Sequence, residues 1–508
     1  MTIDEQALGE YVRAVSQLRM YDHAEREPLW ERRLKLNADE LARLPMLADT
    51  QEAPFRVLAS AASSVSIPAD APCLVSAKTV REQGTNPGAL VEDALVRAKE
   101  TRSHNVFTYV DEKAGQADDR DLTQRPLAGI PIAVKDLIAV ANLPMTGGTR
   151  AVPPGLQKED AEAVRRLRAA GAVPIGLTNL HELAYGITSD NPHFGRVENP
   201  HARDRISGGS SGGAAAAVAL GVVPISLGTD TAGSIRIPAA CCGVVGMKPS
   251  YDLVPRTGAM TLAWSLDHIG PLAANVADVR TALAIMSGGG PEGGALQVSR
   301  QQNIRLVRPA NFFFDMLEPS LRACIEKVLA ALSRAGVDIV EREIADIENA
   351  AAAQFATICA EATQANLQRL DQAPEDLGED VRVRLEAGRF ILASDYVAAQ
   401  RFRTHLLTVM VRALEGYDAL ITPTIAVGAP NAGVQHVDVD GVSLPIHAAM
   451  TRCTAPFNLT GMPAITLPCG MDRDGLPVGI QIAGRPGDDT RLLDIAAVVE
   501  AEIGVTFA

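Results

Sequence analysis

Apolar and polar positions along this chain follow two alternating periods. From about residue 76, a helical pattern at 90–98 precedes an uncharged, apolar strand at 130–134, and a second helix at 160–170 precedes a strand at 173–177. Strand patterns return at 419–421, 463–468 and 478–482. Helices and strands that follow one another in turn predict an α/β fold, a sandwich with a mixed or parallel sheet.

Two segments depart from this alternation and set the predicted domain boundaries. Residues 1–75 begin with a charged helical pattern and continue as a connector rich in Ala, Ser and Pro. We expect this N-terminal helical extension to pack either on the core or on a second subunit, and both arrangements stay open. Residues 76–508 then form the main domain, with a core at 125–290. Residues 291–415 are mostly helical in pattern, which predicts a helical insertion that covers the sheet.

Composition and charge narrow the class of protein. Of the 508 residues, 47% are hydrophobic, which is too many for a disordered chain. The net charge is −14 without a Lys/Arg-rich run, so we expect neither a nucleic-acid nor a membrane partner. The seven cysteines are scattered without CxxC, and no HExxH occurs, so neither a disulfide framework nor a metal site is expected. With no signal-peptide pattern at the N-terminus, the prediction is a cytoplasmic protein.

A single amine, Lys135, ends the apolar strand at 130–134. A lysine at the end of a buried strand loses hydration, so its pKa falls and the neutral amine becomes a base near neutral pH. The alternative is a strand-end lysine that reaches water and pairs with Asp136, and position alone favours that alternative.

A glycine-rich loop at 207–213 carries two adjacent serines, Ser210 and Ser211, and precedes an alanine-rich helix. The string matches G-x-S-x-G twice, which raises the possibility of a nucleophile elbow. An elbow requires a strand directly before it, whereas residues 201–205 form a charged loop, so this interpretation is weak. A phosphate-binding loop is weaker still because no Lys-Ser/Thr follows the glycines.

A second loop, at 228–236, follows a predicted strand and contains Ser234. The small residues Ala232 and Gly233 allow backbone N–H groups to point into a site, as an oxyanion hole requires. Asp230 and Arg236 flank the serine and are expected to pair beneath the loop. The alternative is an ordinary turn rich in Gly, Ser and Thr.

Taken together, the three segments resemble the amidase signature family of serine hydrolases. The resemblance rests on their joint spacing, with 75 residues from Lys135 to Ser210 and 24 from Ser210 to Ser234. It extends over about residues 77–290 and returns at 456–463 and 475–481. The family resemblance implies an α/β/α sandwich, in which helices cover both faces of a large mixed β-sheet.

The resemblance also implies roles for particular residues. Ser234 would be the nucleophile, Lys135 the neutral general base, and Ser210, preceded by a cis peptide bond from Gly209, the bridge that relays protons between them. The oxyanion would be held by the N–H groups of Thr231, Ala232, Gly233 and Ser234. Many family members have glycine where this chain has Ala232, and alanine keeps the N–H group. No cofactor is implied.

The substrate is less defined by the sequence. By resemblance, Tyr185 is a candidate for the acyl pocket, against the alternative of a packed core aromatic, and Gly209 is a second candidate for substrate binding. The implied function is hydrolysis of a small amide, a urea-like compound or a carbamate. The alternatives are the glutaminase subunit of a tRNA-dependent amidotransferase and a binding protein without catalytic activity. A homodimer formed through the N-terminal helices is one of the two arrangements left open above.

Overall fold

The computed structural model describes most of the main domain, namely residues 86–115, 122, 125–153, 155–288 and 303–504. The predicted extension and connector at 1–75 lie outside the described residues, so that boundary stays a prediction. In the first half of the domain the elements are α1 (Pro87–Glu100), β1 (Phe107–Val110), β2 (Pro131–Lys135), α2 (Glu162–Ala169), β3 (Val173–Thr178), α3 (Gly212–Ala219), β4 (Ile225–Asp230), α4 (Arg236–Cys242), β5 (Val245–Lys248), β6 (His268–Ala273) and α5 (Val276–Met286).

The second half of the domain alternates between strands of the sheet and a group of helices. Its elements are β7 (Arg305–Pro309), α6 (Pro319–Arg334), β8 (Asp338–Arg342), α7 (Ala350–Ala365), α8 (Leu367–Gln372), α9 (Glu379–Ala387), α10 (Ala393–Ala413), β9 (Ala419–Pro423), β10 (His436–Val439), β11 (Val442–Pro445), α11 (Ile446–Thr451), α12 (Ala455–Leu459), β12 (Ala464–Met471), β13 (Pro477–Ala483) and α13 (Asp489–Ile503).

Eleven of these strands form one mixed sheet, in the order β1-β3-β2-β4-β6-β5-β12-β13-β9-β7-β8. Strand β2 runs parallel to both β3 and β4, and β7 runs parallel to β8 and β9, whereas the remaining neighbours are antiparallel. Helices α2, α5, α6 and α13 pack on one face and α3 and α4 on the other. The predicted α/β/α sandwich with a mixed sheet is confirmed.

Burial explains why the central strands read as uninterrupted apolar runs. Every residue of β2, β3, β4 and β6 is buried, because helices cover both faces of the sheet at these strands. Among the described residues, no helix is both long and apolar enough to cross a membrane.

The prediction for residues 291–415 was incomplete. Its described part, from residue 303, contains the expected helices but also β7 and β8, the last two strands at one side of the main sheet. Strand β8 is the edge strand and has no fully buried residue, and charged residues interrupt the apolar run in both strands.

The topology brings the three predicted segments to one end of the sheet. Because β2 and β4 are parallel neighbours, their carboxyl ends, at Lys135 and Asp230, lie at the same edge. A turn at Gly221, with φ of +66°, separates α3 from β4. Chain reversal at this turn returns the N-terminus of α3, with its serine loop, to the edge where β4 ends.

Candidate active site

The amine of Lys135 lies in the interior of the protein, enclosed by three hydroxyl groups. Its Nζ atom is 2.7 Å from Ser210 Oγ, 2.9 Å from Ser211 Oγ and 2.9 Å from Thr229 Oγ1. The side chain is fully buried, so the alternative of a lysine reaching water is excluded. Asp136 instead accepts hydrogen bonds from Thr146.

Burial lowers the pKa of Lys135 to about 7, although the negative charges of Asp230 and Asp267 act in the opposite direction. A neutral amine has two N–H donors and one lone pair. Ser211 Oγ donates its own hydrogen to the carbonyl oxygen of Thr229, at 3.1 Å, so it accepts from Lys135. With the second N–H directed at Thr229 Oγ1, the lone pair of the neutral amine is left for the hydroxyl of Ser210.

The serine loop is held by close backbone contacts. The peptide bond from Gly209 to Ser210 is cis. A Cβ atom at Gly209 would lie 2.9 Å from backbone atoms of Ile187 and Ser189, so glycine is required for this packing. Gly209 therefore lies against the protein backbone. It does not line the cavity of about 390 Å³ that reaches the loop at 230–234. Ser211 begins α3 without capping it, because its hydroxyl is used by Lys135 and Thr229.

The structure brings the two serine loops together. The N–H group of Ser211 donates to the carbonyl oxygen of Ser234 at 3.1 Å. Both Ser210 and Ser234 are buried, with exposed fractions of 0% and 5%. Lys135, Ser210 and Ser234 thus lie in one compact cluster at the edge of the sheet, although each comes from a different segment of the chain.

Side chains from distant segments fix the peptide planes of the 230–234 loop. Three successive carbonyl oxygens accept hydrogen bonds from outside the loop: Asp230 from Asn458 Nδ2 at 3.1 Å, Thr231 from Gln354 Nε2 at 3.1 Å, and Ala232 from Thr454 Oγ1 at 2.6 Å. In a trans peptide the N–H group points opposite to the carbonyl. Each of these contacts therefore turns the following N–H group away from the supporting side chain.

The N–H groups of this loop differ in their partners. The Gly233 N–H donates to Asp230 Oδ1 at 2.8 Å, so the carboxylate already occupies one of the four predicted oxyanion donors. The N–H groups of Thr231, Ala232 and Ser234 donate to no residue that the structure describes. Gly233 has a φ of +130°, which favours glycine, whereas Ala232 has no positive φ. Alanine at 232 is thus compatible with the loop.

A buried ion pair supports the loop from below. Arg236 Nη2 lies 2.9 Å from Asp230 Oδ1, and both side chains are fully buried, as the sequence predicted. Burial alone would raise the pKa of Asp230, but the positive charge and the hydrogen bonds of Arg236 hold this pKa well below its usual range. Arg236 also donates to Gln481 Oε1 at 2.7 Å and to Asn458 Oδ1 at 2.6 Å. The pair therefore fixes the position of the loop relative to the sheet.

A cavity of about 390 Å³ reaches the loop at Ala232. Tyr185 lines it and is also buried, with its hydroxyl 3.3 Å from Cys359 Sγ, so the two interpretations of this residue are compatible. The region in which the sequence singled out no residue contributes Gln354 and Arg384 to the wall. The hairpin β10–β11 and helix α11 close another side of the cavity.

Residues that the sequence alone did not identify complete the site. Ser211 and Thr229 hold the amine, and Gln354, Thr454 and Asn458 hold the loop. Ser211 and Thr229 lie in the glycine-rich motifs, and Asn458 lies in the segment at 456–463 that supports the resemblance, but Gln354 and Thr454 lie in no motif that the sequence analysis identified. Residues of the tract at 257–268, together with Thr229 and Thr231, enclose a small cavity of about 30 Å³. Within the described ranges, no group of three potential metal-ligating side chains occurs.

Comparison with known proteins defines the class. The family model described as Amidase matches residues 89–493, which is most of the chain. The chain therefore belongs to the amidase family and is a hydrolase that acts on carbon–nitrogen bonds.

Individual relatives carry several names. The chain is 38% identical to a subunit of the glutamyl-tRNA(Gln) amidotransferase from Symbiobacterium thermophilum, over 76% of this chain and 86% of that protein. It is 35% identical to AtzE, a 1-carboxybiuret hydrolase subunit of Pseudomonas sp. strain ADP, over 78% of this chain and 90% of that protein. A solved amidase structure superposes with a TM-score of 0.79 at 37% identity and covers 84% of this chain and 99% of that one.

Proposed function

We propose that this chain hydrolyses a small amide, urea-like compound or carbamate through an acyl-enzyme on Ser234. Neutral Lys135 accepts a proton from Ser210, which accepts the proton of Ser234 as Ser234 Oγ attacks the substrate carbonyl. The resulting oxyanion binds to the N–H groups of Thr231, Ala232 and Ser234. The proton returns along the same relay to the leaving nitrogen. Water then attacks the acyl-enzyme by the same route and releases the acid.

One observation carries this proposal, namely the contact of 2.7 Å between Lys135 Nζ and Ser210 Oγ in a fully buried position. Burial favours the neutral amine, so the base is available near neutral pH, where an exposed lysine would stay protonated. The open N–H groups beside Ser234 supply the complementary stabilisation of negative charge. Such donors are worth about 10²- to 10³-fold in rate each.

The cavity supports a small substrate. A volume of about 390 Å³ lies at the lower end of the range typical of small-molecule sites, about 300 to 1,000 Å³, and leaves no room for a folded polypeptide. The relative named as a 1-carboxybiuret hydrolase subunit indicates that urea-like compounds occur among the substrates of close homologues. We therefore include ureas beside simple amides.

The proposal is tested with a panel of amides, ureas and carbamates, assayed for release of ammonia or amine. At least one compound is expected to turn over, and Ser234→Ala is expected to abolish that turnover. Ser226→Ala is the matched control, because Ser226 is a buried serine on β4 whose hydroxyl donates to the carbonyl oxygen of Ala133 at 3.1 Å and to no other residue that the structure describes. Turnover by the Ser234 variant at the rate of the control would exclude Ser234 as the nucleophile.

The glutaminase subunit of a tRNA-dependent amidotransferase is the second candidate, because the relative at 38% identity is named as part of such an enzyme. In that case the chain would release ammonia from glutamine and pass it to a partner. Affinity purification of the chain from its native cells separates the two candidates. Partner subunits that co-purify stoichiometrically, with glutamine as the only substrate hydrolysed, would favour the amidotransferase.

We infer further that the enzyme works in the cytoplasm, in keeping with the scattered cysteines, six of which are free thiols among the described residues. We also propose that the N-terminal helices pack either on the core or on a second copy of the chain, and that the second arrangement would give a homodimer. Neither nucleic acid nor a membrane is expected as a partner, since the chain carries a net charge of −14.

A further inference from the structure

A third cavity, of about 540 Å³, lies apart from the candidate active site and shares no lining residue with the cavity of about 390 Å³. It is bounded by α6, by the end of β12 and by the last turn of α13. Two cysteines from distant parts of the chain line it, Cys324 on α6 and Cys469 on β12. The mechanism proposed above uses neither thiol.

The local backbone brings these two cysteines together. Cys324 Sγ donates a hydrogen bond to the carbonyl oxygen of Cys469 at 3.3 Å, so the two residues are in direct contact. The register between β12 and β13 shifts between Pro468 and Gly470, so Cys469 occupies a β-bulge, which redirects a side chain out of the regular ladder. Gly470 has a φ of +144°, and a Cβ atom there would overlap Cys324 Sγ.

The two thiols have different properties. Cys324 is partly exposed, whereas Cys469 is buried. The hydrogen bond from Cys469 and the nearby charge of Lys327 lower the pKa of Cys324 to about 7, against opposing effects of burial and of Asp472. The same hydrogen bond, together with burial, raises the pKa of Cys469. The thiol of Cys324, which donates to the Cys469 carbonyl oxygen in this structure, is thus the one of the pair that ionises more readily to a nucleophilic thiolate, and Cys469 is its protonated neighbour.

Two other cysteines of the described region, Cys241 and Cys453, lack these features. Burial raises the pKa of Cys241 and of Cys453 to about 12, and neither residue lines either of the two larger cavities. A thiol of this kind reacts slowly with oxidants, because the thiolate is the reacting species. Cys324 therefore differs from them in exposure and in the ionisation of its thiol.

We propose that Cys324 is a site of reversible oxidation by hydroperoxides, with Cys469 as the resolving thiol. The Cys324 thiolate attacks a peroxide oxygen, the O–O bond breaks, and the departing hydroxide takes a proton, which leaves a sulfenic acid on Cys324. Cys469 sulfur then attacks Cys324 sulfur and loses its proton as the S–O bond breaks and water leaves. Two thiols are oxidised to one disulfide while hydrogen peroxide is reduced to two waters. A thiol reductant restores the starting state.

The experiment uses the full chain, first reduced and then treated with hydrogen peroxide at neutral pH. Intact-mass measurement is expected to show the loss of two hydrogens, and a non-reduced peptide map is expected to link the peptides of Cys324 and Cys469. Treatment with dithiothreitol should reverse both changes. A chain that keeps its mass, or that forms a disulfide between other cysteines, would overturn the proposal.

Variants separate the roles of the two thiols. Cys324→Ser should form no disulfide, while Cys469→Ser should accumulate a sulfenic acid at Cys324 that dimedone traps. Cys453→Ser, which removes a buried thiol outside the cavity, should form the disulfide at the wild-type rate. Dimedone labelling of Cys469 in the Cys324 variant would reverse the assignment and contradict the proposal. The wild-type peptide map provides the answer even where a variant folds poorly.

Discussion

At the scale of single residues, Lys135 is the group whose environment matters most. Its amine is enclosed by hydroxyls of Ser210, Ser211 and Thr229, and burial brings its pKa to about 7. The position of the lysine at the end of an apolar strand favoured a side chain that reaches water, and only the family resemblance indicated a neutral amine beside Ser210. The contacts with Ser211 and Thr229, 76 and 94 residues further along the chain, could not be predicted because no local pattern marks them.

The first prediction concerns the pH dependence of activity. Because only the neutral amine accepts a proton, the fraction of competent enzyme rises as pH increases through the pKa of Lys135, about 7. We expect kcat/KM to rise about tenfold per pH unit below this value and to level off above it. The measurement is kcat/KM over a pH series with the best substrate of the panel. A profile that falls as pH increases through 7 would contradict the role of Lys135.

Removing the base or the bridge should be severe. Lys135→Ala and Ser210→Ala are each expected to lower kcat by about 10³-fold or more, because proton transfer from the nucleophile is lost. Activity near the wild-type level in either variant, checked by steady-state kinetics on folded protein, would exclude the relay.

Asp267 should tune the same titration. Its charge raises the pKa of Lys135, and Asp267 Oδ1 also accepts from Thr231 Oγ1 at 2.7 Å. In Asp267→Asn the protonated form of Lys135 loses the stabilising negative charge, so the pKa of Lys135 falls. The pH range in which kcat/KM rises should therefore move to lower pH. Asp338→Asn, on the distant strand β8, serves as the control and should leave this pH range in place. A pH range that stays unchanged in the Asp267 variant would contradict the electrostatic coupling.

At the scale of elements, the loop at 230–236 combines local sequence with support from far along the chain. Its small residues and its Asp230–Arg236 pair were predictable, since Asp230 and Arg236 lie only six positions apart in the sequence. The orientation of its peptide planes was not, because it depends on Gln354, Thr454 and Asn458. Nor did the sequence indicate that the Asp230 carboxylate would accept a hydrogen bond from the N–H group of Gly233.

Gly233 gives a test of this element. In Gly233→Ala the new Cβ atom would overlap Thr454 Oγ1, and the φ of +130° is unfavourable for alanine. Displacement of the loop is expected to lower kcat about 10²-fold. Gly475→Ala is the matched control, because Gly475 also has a positive φ, +74°, but a Cβ atom there would meet no other atom within 4 Å. Equal loss of activity in both variants would mean that backbone strain alone is responsible.

The edge strands show where sequence patterns fail at this scale. The central strands β2 and β3 are buried throughout and were predicted as apolar runs, whereas β8, Asp338–Arg342, has no fully buried residue. A short, charged strand at the edge of a sheet is paired on one side only and needs no apolar run. This is why β8 was not recognised within residues 291–415, which were predicted to be mostly helical.

At the scale of the whole molecule, alternating periods predicted the α/β sandwich, and the structure confirms it. The order of the strands was not predictable from those periods, because β5 pairs with β12 more than 200 residues later. Arg236 illustrates the consequence of this order. It lies on α4 and joins β4, α12 and β13 through Asp230, Asn458 and Gln481.

Loss of this connection should destabilise the entire domain. Arg236→Ala leaves the buried carboxylate of Asp230 without its cation, which is expected to cost about 3 to 5 kcal/mol in the free energy of unfolding. Asp93→Ala removes one partner of the exposed pair with Arg97 and should change stability little. Urea denaturation of both variants checks this prediction. A change no larger for Arg236 than for Asp93 would contradict the structural role of the pair.

The central claim is that Ser234 forms the acyl-enzyme, and covalent labelling tests it most directly. A fluorophosphonate traps an activated serine, so intact-mass analysis of the labelled chain is expected to show one adduct per chain, mapped to Ser234. The Ser234→Ala variant should take up no label, whereas Ser226→Ala should be labelled like the wild type. An adduct at Ser210 or Ser211, or undiminished labelling of the Ser234 variant, would contradict the account.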